Sequence, residues 1–360
     1  MRPAAATQQR QRRAPLAAAA LASLAAACVT TFEPVEPEQG AAGAPLAVPV
    51  SIPLPEFGGG DSRVLLEFYG GILRRLQDAA DDGDVELLQS LVESYDRPSV
   101  PDAFRQHLDG YRAIARGIAF QQHVQASAEL RLVGDAARDP AAPVGAPPLG
   151  EPLRLELELP PPPVPVRLGA LGDRDPIGFS VAVTVDDEYL DGSSRESQSK
   201  EFLWLPRAFA FERGESLQLP IEVGAAVGDA VRRTVLVRVD LMPGYADCDG
   251  MRAPLQRVTA GAVSTTQWPK GHEVLAAQPL AGLKAALADF NPRNFASAYL
   301  SALLVPARDR REATALLMDQ VRFGRADQAR VAMAALHKTA GVQIAVGDRD
   351  AWLAWWQSRQ

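Results

Sequence analysis

Leu153, Leu155, Leu157 and Leu159 alternate with Arg154, Glu156 and Glu158. A period of two puts the leucines on one face of an extended segment and the charges on the other. The device returns in Phe179, Val181, Val183 and Val185, in Leu217, Leu219, Ile221 and Val223, and in Val235, Val237, Val239 and Leu241. Half-buried strands must cover their apolar faces with one another. The alternation therefore predicts two antiparallel sheets packed face to face, a β-sandwich over residues 153–277, with further strands near Val164, Phe202 and Val258.

On both sides of this region the period changes to helical. Val64, Leu65, Phe68, Ile72, Leu73 and Leu76 recur at three- and four-residue spacing, and Val85, Leu88, Leu91, Val92 and Tyr95 do so again after a turn at Asp82-Gly83. Pro101 opens a third stripe through Phe104, Leu108, Tyr111, Ala115 and Ile118, its fixed φ suiting a helix start. Residues 61–133 thus read as a helical bundle, separated from the strands by a Pro-, Ala- and Gly-rich linker over 134–152. After Pro279 helices return, with faces Leu280, Leu283, Leu287 and Phe295, Tyr299, Leu303. A capping box at Asp309-x-x-Glu312 follows, and Phe323-Gly324 closes the helix it opens. The fold class expected is α+β and multidomain: helical bundle, antiparallel β-sandwich, and a helical module over 278–360. A chain of 360 residues has length for several cores.

Two resemblances refine this architecture. In its general strand pattern the β region is similar to the immunoglobulin-like accessory modules of bacterial envelope proteins, without the Cys-Trp-Cys signature of antibody domains. The short Ala-rich helices of Pro292 to Gln360 resemble HEAT-like repeats, in which small residues let helices stack closely.

The N-terminus carries a third resemblance. Arg2, Arg10, Arg12 and Arg13 precede an uncharged stretch from Ala14 to Ala27, rich in Ala and Leu, and Cys28 follows. This is the three-zone layout of a secretory signal peptide over residues 1–27, too short in its apolar part to span a bilayer. Ala25-Ala26-Ala27-Cys28 resembles the lipobox of bacterial lipoproteins, which implies cleavage before Cys28 and acylation of that residue. Ala25-x-Ala27 also reads as an ordinary cleavage site that leaves a free thiol. Residues 28–60, with prolines from Pro34 to Pro55 and Gly58-Gly59-Gly60 at the end, fit a tether.

Chemistry-bearing motifs are sparse. The net charge of -7, more acidic once the arginine-rich leader is removed, leaves no basic face for nucleic acid. Asp186, Asp187, Glu188 and Asp191 gather at a strand end, where a hard cation could be caged or a hairpin could turn. Asp78–Leu88 has a faint calcium-loop look but lacks the alternating oxygen ligands. Cys248 sits in Ala-Asp-Cys-Asp-Gly, a turn sequence, and no spacing ties it to His107, His123, His272 or His337. Trp352, Trp355 and Trp356 lie within about one helical turn, behind Asp348 and Asp350 as N-caps. They form either a partner-contact patch or a cover for the last helices. Trp204 and Trp268 are expected in the core.

These readings name no catalytic residue, cofactor or metal. They lead to an exported cell-envelope protein, held at a membrane through Cys28 and facing the periplasm or the exterior, which binds or scaffolds a protein or glycan component. The alternative is a hydrolase or glycan-active protein with a site between the β-sandwich and the C-terminal helices.

Overall fold

A computed structural model describes residues 62–98, 100–133, 146–168, 177–205, 209–211, 216–224 and 226–359. The signal, Cys28 and the tether lie outside the described residues, as does most of the linker. The fold is α+β, with antiparallel sheets and a helical region at each end.

Helices α1 (Ser62–Asp81), α2 (Val85–Tyr95) and α3 (Asp102–Ser127) come first. Asp84 caps α2, its carboxylate accepting the Leu87 N–H at 2.9 Å, and Gly83 turns the chain at φ +69°. The Asp78–Leu88 stretch is therefore a capped helix-to-helix turn. Ile72, Leu73, Leu76, Leu88, Val92, Phe104, Leu108 and Tyr111 bury together. Phe68, placed on the first stripe by spacing, is instead exposed; Tyr69 next to it packs against that cluster.

The strands are β1 (Glu129–Leu132), β2 (Leu153–Leu159), β3 (Val166–Leu168), β4 (Gly178–Glu188), β5 (Ser194–Trp204), β6 (Phe209–Ala210), β7 (Leu217–Val223), β8 (Arg232–Leu241), β9 (Gly244–Cys248), β10 (Met251–Leu255) and β11 (Val258–Gln267). They form three sheets, ordered β1-β2-β7, β10-β9-β3-β6 and β11-β8-β4-β5, with every pairing antiparallel. Register follows the alternation: Leu155 faces Ile221, Leu157 faces Leu219, Val181 faces Val239 and Val183 faces Val237. The inward side chains of all three sheets meet in one core. Leu153, Leu155, Leu157 and Leu159 are at most 1% exposed, and each such side chain contributes about 1.5–3 kcal/mol by leaving water.

The sequence placed a boundary after residue 133, but α3 runs straight into β1, whose Leu130 and Leu132 pair with Leu157 and Leu155. One end of α3 buries Phe104 to Ile118 in the helical core, and the other buries Phe120 and Val124 in the strand core. Gln121 donates to Gln256 O at 3.0 Å, and Arg116 donates to the carbonyls of Cys248 and Asp249 at 3.1 Å. Gly117 permits this approach, since a Cβ there would stand 2.4 Å from Pro254 O.

The C-terminal helices are α4 (His272–Ala277), α5 (Pro279–Ala288), α6 (Phe295–Leu304), α7 (Arg310–Phe323), α8 (Ala326–Thr339) and α9 (Arg349–Gln357). They share a core of Leu283, Tyr299, Leu317, Val321, Leu336 and Trp352, among others. Asp309 does not make the expected capping box: it ends a 3-10 turn, Ala307–Asp309, and its side chain makes no cap bond. Gln328 makes the reciprocal bond expected of such a box one helix later, accepting the Arg325 N–H at 2.8 Å. Among the described residues no helix is long and apolar enough to cross a membrane.

Gly117→Ala forces a backbone carbonyl aside and is expected to cost about 2 kcal/mol. The check is the denaturant midpoint, with Gly71→Ala, where the added methyl meets nothing within 4 Å, as the matched control.

Candidate functional site

Where the second and third cores meet, a strand end is charged. Register sets Glu188 of β4 opposite Arg232 of β8, and Asp187 opposite Arg233. Because neighbours on a strand point to opposite faces, the two acid–base pairs part company. Arg233 grips Asp187 with two bonds, Nε to Oδ1 at 2.7 Å and Nη2 to Oδ2 at 2.9 Å, and is 4% exposed.

Glu188 turns to the other face, which the C-terminal helices cover, and is 2% exposed. The Tyr299 hydroxyl of α6 donates to its Oε1, and Arg232 pairs with its Oε2. Lys338, in the last turn of α8, stands 3.7 Å from Oε1. Arg232 also lies over the Trp268 ring at 5.4 Å, and Trp268 stacks on His272 at 5.7 Å. Burial, then the bond to Glu188, hold the Tyr299 hydroxyl far above its ordinary pKa, so it stays a donor. With both carboxylate oxygens engaged, Glu188 acts as an anchor.

The loop after Glu188 completes the joint. Asp191 accepts the Ser193 N–H at 2.9 Å and its hydroxyl at 2.5 Å, contacts that lower the Asp191 pKa. Gly192, at φ +79°, lies against α8, where a Cβ would come 3.1 Å from that of Ala334. Leu190 packs into the C-terminal core. The acidic stretch therefore disperses: Asp186 is exposed, Asp187 and Glu188 oppose arginines on different faces, and Asp191 shapes the turn. The sequence flagged the stretch; Tyr299, Arg232 and Lys338, the partners that define it, carried no local signal.

Cys248 is fully buried beneath a two-residue hairpin turn. Asp249 and Gly250, at φ +53° and +78°, close the Cys248–Met251 pair in the conformation that favours Asp-Gly. Burial, with Asp247 adding, pushes its thiol up to about 11. The histidines lie elsewhere: His123 bonds Pro160 O at 2.9 Å and His337 bonds Ile344 O at 3.0 Å.

Of the tryptophans at the C-terminus, Trp352 is fully buried, its Nε1 donating to Ala345 O at 3.1 Å. It is out of reach of a partner. Trp355 and Trp356 are half-buried against the same core, Trp355 meeting Trp352 edge-on at 5.4 Å with Arg359 over its ring. Asp348 caps this helix through the Ala351 N–H, as expected. Trp204, expected in the core, is 52% exposed and stacks on Phe202.

No known protein family and no curated protein matches the chain. One solved structure is similar in part: the crystal structure of Spo0M, a sporulation control protein from Bacillus subtilis. It is 10% identical with a TM-score of 0.21, and the match covers 46% of this chain and about half, 55%, of that one.

Glu188→Gln leaves Arg232 and Lys338 without their countercharge and should cost about 3 kcal/mol, whereas Tyr299→Phe removes one hydrogen bond and should cost about 1 kcal/mol. Equilibrium unfolding in urea measures both. A second outcome concerns pH. Tyr111, pushed up to about 12 by burial and then by Asp81 and Asp78, and Cys248, at about 11, both titrate above their ordinary values of 10.0 and 9.0. Groups raised in the folded state leave stability intact below the unfolded pKa and remove it as pH climbs toward the folded one. The urea midpoint should hold up to about pH 9 and then fall progressively, and Cys248→Ala should flatten the first part of the fall. Alkylation of the native protein at pH 8, mapped by peptide mass, should leave Cys248 unmodified until denaturant is added.

Proposed function

We propose that this is an exported cell-envelope protein, acylated at Cys28, that binds or scaffolds another envelope component without catalysis. The leader carries the reading: four arginines, an uncharged Ala- and Leu-rich stretch, then small residues before Cys28. Acyl chains contribute about 0.8 kcal/mol per buried methylene, so several of them hold a folded body at a membrane durably. The Pro-rich residues that follow suit a spacer between lipid and the first helix.

The described region supports the non-catalytic part of the reading. Glu188 and Cys248, the groups a hydrolase at the sheet–helix junction or a thiol enzyme would draw on, are built into packing: one is an ionic anchor between layers, the other lies under a turn. We read the three sheets around one core as an immunoglobulin-like sandwich. The paired helices α5–α6 and α7–α8, whose small residues Ala298, Ala302, Ala313, Ala329 and Ala332 are buried in the common C-terminal core, we read as HEAT-like. Trp355 and Trp356 stand half-open at the C-terminal end.

Membrane fractionation and mass spectrometry of the processed N-terminus test the proposal. The expected result is a chain beginning at acylated Cys28 in the membrane fraction, and loss of essentially all membrane retention in Cys28→Ala. A chain cut before Cys28 but bearing no acyl group would leave export and remove the anchor. Recovery from the cytosol with Met1 and the leader intact would remove both.

A further inference from the structure

Strand β5 is the open edge of its sheet. It pairs with β4 along its whole length and with no other strand among the described residues, and all but one of its residues are exposed. Tyr189 N–H donates to Ser193 O, and Leu205 N–H to Ile177 O. Odd-numbered residues of β5 therefore turn their N–H and C=O groups toward β4, and even-numbered residues turn theirs outward. Ser194, Glu196, Gln198, Lys200 and Phe202 present a row of backbone groups ready for another strand.

Edges left open in native proteins are usually guarded by charges that oppose pairing. Here Arg195-Glu196 and Lys200-Glu201 flank the neutral Ser197-Gln198-Ser199. The order is plus, minus, three neutral, plus, minus; reversed, it is its own complement. We propose that β5 pairs antiparallel with β5 of a second copy of this chain, about a two-fold axis at Gln198, joining two four-stranded sheets into one. Arg195 then lies opposite Glu201 of the partner subunit, and Glu196 opposite Lys200 of the partner subunit, each pair occurring twice.

Among registers that keep outward-facing residues paired with each other, this one stands apart. Centring on Arg195, Glu196, Lys200 or Glu201 sets like charges face to face. Centring on Ser197 or Ser199 brings no opposite charges together. The Gln198 register also places Phe202 opposite the partner's Ser194 and Trp204 opposite the partner's Gly192. The Phe202–Trp204 stack, 5.7 Å between ring centres and 45% and 52% exposed in the single chain, then lies against a second surface. The pairing needs neither the lipid anchor nor an envelope address.

Sedimentation velocity of the full chain tests it, with Cys28→Ser so that no acyl group adds association of its own. The species should move from one to two monomer masses as concentration rises toward about 100 µM, and added salt should weaken the association. Lys200→Glu and Glu196→Lys each set like charges across the axis and should weaken self-association at least about ten-fold. Mixing these two variants makes every cross-strand pair opposite again, so the dimer should return in the mixture alone. Both positions are exposed, and circular dichroism should show unchanged folds. A chain that stays monomeric throughout, a dimer indifferent to both reversals, or variants that do not re-associate when mixed would each overturn the proposal.

Discussion

An ionised carboxylate withdrawn from water costs several kcal/mol unless cations and donors meet it. Glu188 is such a group, and its partners come from three places in the chain: Arg232 from the neighbouring strand, Tyr299 from α6 and Lys338 from α8. The cation–π contact of Arg232 with Trp268 extends the group to the segment that leads from the last strand into α4. Pairs of this kind add little net stability over an apolar replacement. Their reach is across layers: one carboxylate meets strand β8, α6 and α8, and the Gly192 turn lies against α8 beside it.

The outer face of the β11-β8-β4-β5 sheet is divided as a result. At the Glu188 end the C-terminal helices cover it. Toward the Gly178 end Phe202 and Trp204 lie over Ser180 and Gly178, with Arg238 tied to Asp240 at 2.8 Å and to Thr259 at 2.9 Å beside them. The inner face sends Phe179, Val181, Val183, Val235, Val237, Val239 and Leu241 into the common core and ends in the Asp187–Arg233 pair. One sheet thus serves a core, a helical layer and an open surface, by alternation across its thickness and by position along its length.

Strands whose inner face is apolar were legible in the sequence, because Leu153–Leu159 and Val235–Leu241 must alternate to be half-buried. Strand β5 was legible only near Phe202: Ser-Arg-Glu-Ser-Gln-Ser-Lys shows no apolar period, since an edge strand need not bury either face. Strand β1 was hidden by its four-residue length and by following α3 without a break. Phe68 shows the same limit on the helical side, where spacing defines a stripe but not how far the cover extends. At the junction, the acidic stretch was visible, yet its meaning depends on Tyr299, 111 residues away, and no local pattern announces such a partner. Trp352 could be read either way, because a terminal aromatic cluster covers a core and advertises a surface with the same residues.

Helix α3 belongs to two interiors at once, and that changes what a proteolytic nick would accomplish. Cleavage between residues 134 and 145 falls where composition suggests the chain could be divided, yet the upstream piece would keep β1 laddered to β2, and Phe120 and Val124 seated among the strands. The fragments would stay clasped without a peptide bond between them. Severing the backbone there would not set the front of the molecule loose from whatever the back of it holds.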